Sequence, residues 1–259
     1  RGLKVHKNSL ILELVYIQLL LNNNKIEEAK ELYSILAVKD IKESLKDGLQ
    51  GRIFLLEANF IQAIPKLESL YKSHKNEQNS FYLAAAYVGN NEKNKAVNLL
   101  NDFLAENPDN IRVKARLAGF YLEKEDGKDK AIEYYNDVVK TESKNVIVNN
   151  NLAWLHLEKG NNDLAFKYAK AAFDIAPQVP NVLDTYSQVL LNKGDNKAAL
   201  KYSSEASELT KGKDIDIRLN YIEALIANEH FSKAKSLLDS IVTTTEVQKA
   251  KKSRLLLKL

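Results

Sequence analysis

The 259-residue sequence predicts an all-α solenoid of about seven helical hairpins followed by a C-terminal helix. Three observations lead to this fold class. An alanine recurs with a period close to 34 residues, each period contains two apolar patterns spaced i, i+3, i+4, i+7, and a short polar link such as "KGNN" or "KGDN" separates the two patterns. Each period is therefore expected to form two antiparallel helices, A and then B.

The recurrent alanine stands near the start of each predicted helix B. Seven positions share it, at spacings of 34, 33, 35, 34, 34 and 35 residues: Ala29, Ala63, Ala96, Ala131, Ala165, Ala199 and Ala234. Helices A and B meet at this point, and a larger side chain would push them apart. We therefore expect the small side chain to allow close helix packing in every unit.

The period divides the chain into one continuous array. We place its units at about 8–39, 40–75, 76–109, 110–144, 145–178, 179–213 and 214–245, with a terminal helix over 246–259. The terminal helix is rich in leucine, so it is either a capping helix or helix A of an eighth unit. We expect the chain to be a fragment of a longer array.

The first unit opens with basic residues and an apolar run from Leu10 to Leu21. Glu13 and Gln18 interrupt the run, no small-residue cleavage site follows it, and it is too short to span a bilayer. The run is predicted to be an amphipathic helix, with the remnant of a signal peptide as the alternative. We expect no direct membrane insertion by this segment.

Two units depart from the common pattern. Pro65 lies where helix B of the second unit should already be running, and proline is tolerable only in the first turn, where its missing N–H had no partner. The fourth unit has one extra residue in "EKEDGKDKA", which predicts a longer turn between its two helices.

The repeat resembles the tetratricopeptide repeat, a helix-turn-helix unit of 34 residues. The fifth unit matches it best, and Tyr87, Pro108 and Gly51 supply further family residues in the third and second units. The matching residues of the fifth unit are Leu152, Ala153, Gly160, Ala165, Ala172 and Pro177. This resemblance implies a right-handed superhelical solenoid whose A helices line a concave groove that binds a protein or peptide.

Composition and motifs exclude several other classes of function. Lys and Arg (38) are interspersed with Asp and Glu (34), and this balance, with a net charge of +4, does not predict nucleic-acid binding. The chain has no cysteine, no H-E-x-x-H motif and no phosphate-binding glycine loop. We therefore expect no enzyme activity, no metal and no cofactor.

The four histidines, His6, His74, His156 and His230, are far apart in the repeat. His156 takes the place of a core tyrosine of the family, so we predict that it packs in the core.

The groove-facing stripe is predicted from the helix A positions that do not pack against helix B. The candidate ligand-binding residues are Arg52, Tyr82, Arg112, Arg116, Asn150, Asn151, Trp154, Asp184, Gln188, Asn220 and Glu223. Their order predicts a groove that is basic in units two to four and acidic, with Asp184, Asp216 and Glu223, in units six and seven. Such a groove would orient an extended peptide or a helix.

Two alternatives stay open within this stripe. Arg112, Arg116 and Asn150 are the nearest equivalents of the clamp with which some tetratricopeptide proteins hold a C-terminal carboxylate, but they do not reproduce its full spacing, and a solvated surface is the alternative. Trp154 is either a packing residue between units or a stacking surface for a ligand.

Units five to seven are also similar to the closing repeats of bacterial envelope lipoproteins linked to exopolysaccharide export and PEP-CTERM protein sorting. Residues 151–154 match their N-L-A-W and residues 183–185 their L-D-T, but Ser187 stands where the glycine would be. The resulting prediction is a non-catalytic interaction scaffold, with the bacterial envelope or periplasm favoured over the cytoplasm. The alternative is a regulatory or substrate-recruiting segment of a larger enzyme such as a glycosyltransferase.

Overall fold

A computed structural model describes residues 9–259 of the chain. This range contains fifteen α-helices, one 3-10 turn and no β-strand. The helices are α1 Leu10–Asn22, α2 Ile26–Ala37, α3 Glu43–Leu56, α4 Phe60–Ser73, α5 Glu77–Gly89, α6 Lys93–Glu106, α7 Ile111–Leu122, α8 Lys128–Thr141, α9 Val146–Glu158, α10 Asn162–Ile175, α11 Pro180–Asn192, α12 Asn196–Leu209, α13 Ile215–Ala227, α14 Phe231–Asp239 and α15 Glu246–Leu256. The 3-10 turn, Glu125–Gly127, lies between α7 and α8.

The seven recurrent alanines are completely buried, each with 0% of its surface exposed. All of them lie in the first or second turn of an even-numbered helix, as Ala165 does in α10. A side chain of one methyl group lets the odd-numbered and even-numbered helices of a hairpin come into close contact. The even-numbered helices are thus the predicted B helices, and the odd-numbered helices are the A helices.

A left-handed residue makes the tight turn in six of the hairpins. Its φ is positive at Asn24, Ala58, Asn91, Gly160, Gly194 and Glu229. In each case the next residue donates its backbone N–H to the carbonyl five residues earlier, as Asn161 does to His156 at 2.9 Å. This pattern is a Schellman motif, which satisfies carbonyls at the end of helix A and reverses the chain.

The hairpin between α7 and α8 turns differently. The predicted longer turn in "EKEDGKDKA" is present as the 3-10 turn at Glu125–Gly127. A Cβ on Gly127 would lie 2.3 Å from the carbonyl oxygen of Tyr121, so only glycine fits at this close approach.

Pro65 lies further into its helix than expected. It is the sixth residue of α4, in the second turn rather than the first. The helix nevertheless continues to Ser73, although the missing N–H of Pro65 leaves the carbonyl of Ile61 without its usual helical donor.

The chain divides into two compact units, with the boundary after Val113 in α7. In the first unit, α1 to α6 pack in consecutive pairs, and α3 also contacts both α1 and α5. In the second unit, α8 to α15 pack in the same way, and α9, α11, α13 and α15 form a row in which each contacts the next. Each unit thus gathers its A helices on one side.

Both ends of the described range are helical. The predicted N-terminal helix is present as α1, which buries Ile17, Leu20 and Leu21. It is not amphipathic as expected, because its exposed side is apolar as well, with Ile11, Val15 and Leu19 each more than half exposed. The predicted terminal helix is α15, which ends at Leu256 and buries Leu255 against α13 and α14. Among residues 9–259, no helix is both long enough and apolar enough to cross a bilayer.

Candidate functional site

A polar cleft lies on the row of A helices in the second unit. It has a volume of ≈ 620 Å³, and α9, α11, α13 and α15 contribute most of its lining, with one residue from α12. We call it the second-unit cleft; its lining residues are Leu157, Glu158, Gln188, Leu191, Asn192, Asn196, Glu223, Ile226, Ala227, Lys251, Arg254 and Lys258. Gln188 and Glu223 are the two predicted ligand-binding residues among them.

Three cations from α15 and the residues that follow it surround the Glu223 carboxylate. Its oxygens lie 3.0 Å from Lys251 Nζ, 3.3 Å from Arg254 Nη2 and 3.6 Å from Lys258 Nζ. Burial alone would raise the pKa of the Glu223 carboxyl, but the three charges outweigh burial and hold that pKa below its usual value. One carboxylate faces three cations, so this part of the cleft has an excess of positive charge.

A hydrogen-bond network connects Asp184 to these cations. Asn220 Nδ2 donates to Asp184 Oδ2 at 2.7 Å, and Asn220 Oδ1 accepts from Lys251 Nζ. Burial raises the pKa of the Asp184 carboxyl to about 7, and the hydrogen bond from Asn220 offsets only part of this rise. The network therefore brings together Asp184, Asn220 and Glu223, all three predicted from the sequence.

Three predicted residues have a buried polar atom without a protein partner. They are Asn150 Oδ1 in α9, and Asp184 Oδ1 and Gln188 Nε2 in α11. Buried polar atoms in native proteins are nearly always hydrogen-bonded, so these three atoms are available to water or to a ligand. Within residues 9–259 only one other buried side-chain nitrogen or oxygen atom, Glu92 Oε2, has no hydrogen bond, and it lies in an ion pair with Lys95.

Asn151 and Trp154 occupy different environments on α9. Asn151 Nδ2 donates to the Tyr135 hydroxyl at 2.9 Å, so this amide holds α9 to α8. Trp154 is 37% exposed, and the Lys128 ammonium lies 5.4 Å from its ring centroid. Lys128 also pairs with Glu158 of the cleft at 2.6 Å. Trp154 is therefore a surface side chain beside the cleft rather than a buried packing residue.

The predicted arginines fall into both units. In the first, Arg112 pairs with Glu77 at 2.6 Å. In the second, the exposed Arg116 has its guanidinium 5.7 Å from the Phe120 ring centroid.

Arg52 and Tyr82 come together in the first unit. The Arg52 guanidinium carbon lies 4.5 Å from the centre of the Tyr82 ring, and Arg52 Nη2 donates to Asn22 Oδ1 at 2.7 Å. Arg52 is only 9% exposed, and burial lowers the pKa of its guanidinium. An arginine predicted to lie on an open groove is therefore enclosed.

The expected acidic end of the groove is wrong. Asp184 Oδ1 is buried and burial raises the pKa of this carboxyl to about 7. The carboxylate of Glu223 is covered by cations of the terminal segment, so the exposed Asp216 alone of these three carboxylates contributes an open negative charge. Sequence reasoning missed these cations because the stripe was traced only through the seven predicted units. The available signal was the spacing of Lys251, Arg254 and Lys258, which places them on one side of a helix.

His156 is buried, as predicted. Its ring stacks on Tyr168 with the centroids 5.6 Å apart, and burial lowers its pKa. Across the part of the chain that the structure describes, no group of three or more His, Asp or Glu residues is arranged to hold a metal ion.

A known family and several solved structures support the helical-repeat fold. Residues 121–180, which contain α8, α9 and α10, match the family model described as tetratricopeptide repeat. No curated protein matches the chain.

Several solved structures share the fold. The C-terminal part of a TPR repeat-containing protein from Cytophaga hutchinsonii has a TM-score of 0.65 and 14% identity, over 92% of this chain and 98% of that one. PilW, described as a widely conserved type IV pilus biogenesis factor, has a TM-score of 0.63 and 18% identity, over 77% and 92%. MamA of MSR-1 has a TM-score of 0.54 and 22% identity, over 66% and 98%. The predicted class, an all-α solenoid of tetratricopeptide type, is confirmed, while the number of units and their boundaries stay predictions.

Proposed function

We propose that this chain is a non-catalytic protein-interaction scaffold that binds a peptide or a helix along the second-unit cleft. The observation that carries this proposal is the cleft itself, an open polar surface built by four successive A helices. A solenoid of helical hairpins presents such surfaces along its length, and extended ligands are the partners that fit them.

The side chains of the cleft favour an acidic partner. Gln188 offers an amide N–H that has no protein acceptor, and an amide can pair with the backbone of an extended ligand whatever its sequence. Lys251, Arg254 and Lys258 share one carboxylate, so acidic side chains of a ligand would complement the remaining charge. Trp154 adds an exposed ring next to Glu158.

The experiment is a peptide-display selection against the full chain, followed by affinity measurements on single variants. We expect Arg254→Glu to weaken binding of the selected peptides by tenfold or more, because it reverses a charge of the cleft. Lys197→Glu makes the same change on an exposed position of α12 outside the cleft and should leave affinity within twofold. Equal affinities for the two variants would contradict the proposal.

A more specific setting is an assembly of the bacterial envelope. Residues 151–154 and 183–185 support an export or protein-sorting lipoprotein, and PilW, which has a similar fold, is described as a pilus biogenesis factor. A recruiting segment of a larger enzyme, such as a glycosyltransferase, would use the same cleft. The sequence that flanks this chain in its gene separates the two, because a lipobox with further repeats favours the first and a catalytic domain favours the second.

A further inference from the structure

Arg52 is a buried cation without an anionic partner. It lies in α3 of the first unit, and 9% of its surface is exposed. Its contacts within the described chain are the neutral Asn22 amide oxygen and the face of the Tyr82 ring. Buried charges in proteins are normally paired, because an unpaired charge loses its hydration without compensation.

Two acidic side chains of the same unit, Asp47 on α3 and Glu77 on α5, are engaged elsewhere. Asp47 accepts hydrogen bonds from Lys66 at 2.7 Å and from Ser69 at 2.7 Å. Glu77 pairs with Arg112 at 2.6 Å and accepts from Asn110 at 2.9 Å. Neither carboxylate neutralises Arg52, and four of its five guanidinium N–H groups are left for another acceptor.

A cavity of ≈ 340 Å³ opens beside this guanidinium. Arg52 and Tyr82 line it together with apolar and neutral polar side chains, and none of the lining residues is Asp or Glu. The others are Leu14, Gln18, Leu45, Gly48, Leu49, Leu70, His74, Asn76, Gln78 and Asn79. The cavity therefore has one buried positive charge, an apolar wall of leucines and amides at its polar side.

We propose that this cavity is a binding site for a small aliphatic carboxylate. The planar guanidinium matches a carboxylate in two parallel hydrogen bonds, and the low exposure of Arg52 strengthens them. The leucines accept the aliphatic body, and the volume of ≈ 340 Å³ lies at the lower end of the range of small-molecule pockets, as a small ligand requires. The site lies wholly in the first unit and does not depend on the second-unit cleft.

The test uses the full chain and probes that differ only in charge. We would titrate 4-methylpentanoate and its neutral amide, 4-methylpentanamide, and follow the Arg52 Nε–H and the Gly48 and Tyr82 amides by NMR. The carboxylate should give saturable shifts and the amide should bind at least tenfold more weakly. A peptide that ends in leucine, with a free or an amidated C-terminus, distinguishes a peptide end from a free acid as the source of the carboxylate.

Arg52→Met removes the charge and keeps the length of the side chain. It should abolish the carboxylate shifts, and without ligand it should unfold at the same temperature as the wild type or higher, because it removes an unpaired buried charge. Arg218→Met, which changes an arginine of the second unit that donates to Ser240 at 2.8 Å, should leave the shifts unchanged. Unchanged binding by Arg52→Met would overturn the site.

The comparison of acid and amide needs no variant, so the proposal stays testable if Arg52→Met fails to fold. Equal binding of 4-methylpentanoate and its amide to the wild type would overturn it, as would the absence of saturable shifts with every carboxylate probe. Inorganic phosphate is a further probe. Saturable binding of phosphate without binding of carboxylate would overturn the assignment of the ligand class.

Discussion

Asp184 lies on the groove stripe of α11, where Asn220 Nδ2 donates a hydrogen bond to its Oδ2 at 2.7 Å. Its position on the groove stripe follows from the repeat period alone. Its burial does not, because it depends on α13 and on Asn220, which lies 36 residues further along the chain. The pKa of its carboxyl, raised to about 7, is a property of packing that periodicity cannot express.

Asp184 should make stability depend on pH. Its folded-state pKa is raised above the unfolded value of about 3.9, so the folded chain holds the proton more tightly and stability falls as pH rises from about 4 to about 7. Asp184→Asn removes this titration. We expect its free energy of unfolding to exceed that of the wild type by on the order of 4 kcal/mol at pH 8 and to approach it near pH 4.

Denaturant unfolding at several pH values measures this difference. His156, whose pKa burial lowers, has the opposite dependence and cancels in the comparison because both proteins contain it. A difference between the two proteins that does not change with pH would contradict a buried, titrating Asp184.

Six of the hairpin turns share one backbone geometry, but different residue types occupy their left-handed position. Glycine occupies the left-handed position at Gly160 and Gly194, but alanine and glutamate occupy it at Ala58 and Glu229. The polar links predict where a turn occurs. They do not predict that a residue with a Cβ adopts a positive φ, since this follows from the Schellman hydrogen bonds and the packing of the two helices around it.

Ala58 and Gly160 form a matched pair for testing this element. Ala58→Gly should stabilise the protein by up to about 1 kcal/mol, because it relieves the left-handed conformation of a residue with a Cβ. Gly160→Ala should destabilise it by about 1 kcal/mol, since no atom lies near the added Cβ and only backbone strain acts. Thermal unfolding of both variants measures these changes. Shifts of the same sign in the two variants would contradict the turn geometry.

The contact between helices A and B depends on the recurrent alanine. Ala165→Leu should destabilise the chain by about 1–3 kcal/mol, because Ala165 is fully buried and the larger side chain must separate α9 and α10. Ala171→Leu, on a partly buried position of the same helix, is the control and should cost less. Denaturant unfolding would contradict close packing at Ala165 if both variants were equally stable.

At the scale of the whole molecule, the repeat period is enough to predict the fold class, because each unit must bury its apolar faces against its neighbours. The candidate site is only partly predictable. Glu223 and Gln188 follow from the stripe, but the cations that face Glu223 come from α15 and the residues after it, beyond the seven predicted units. Arg52 is enclosed by Tyr82 rather than exposed on a groove. Tertiary contacts decide which stripe residues stay open.

The central claim, that the second-unit cleft binds a peptide, is tested most directly by NMR mapping. A peptide selected on the full chain would be titrated into labelled protein while backbone amide shifts are followed. We expect the largest shifts at Gln188, Asn192 and Arg254. The affinity should fall as the salt concentration rises from about 50 to about 500 mM, a range that includes physiological ionic strength. Shifts confined to the B helices α10, α12 and α14 would contradict the claim.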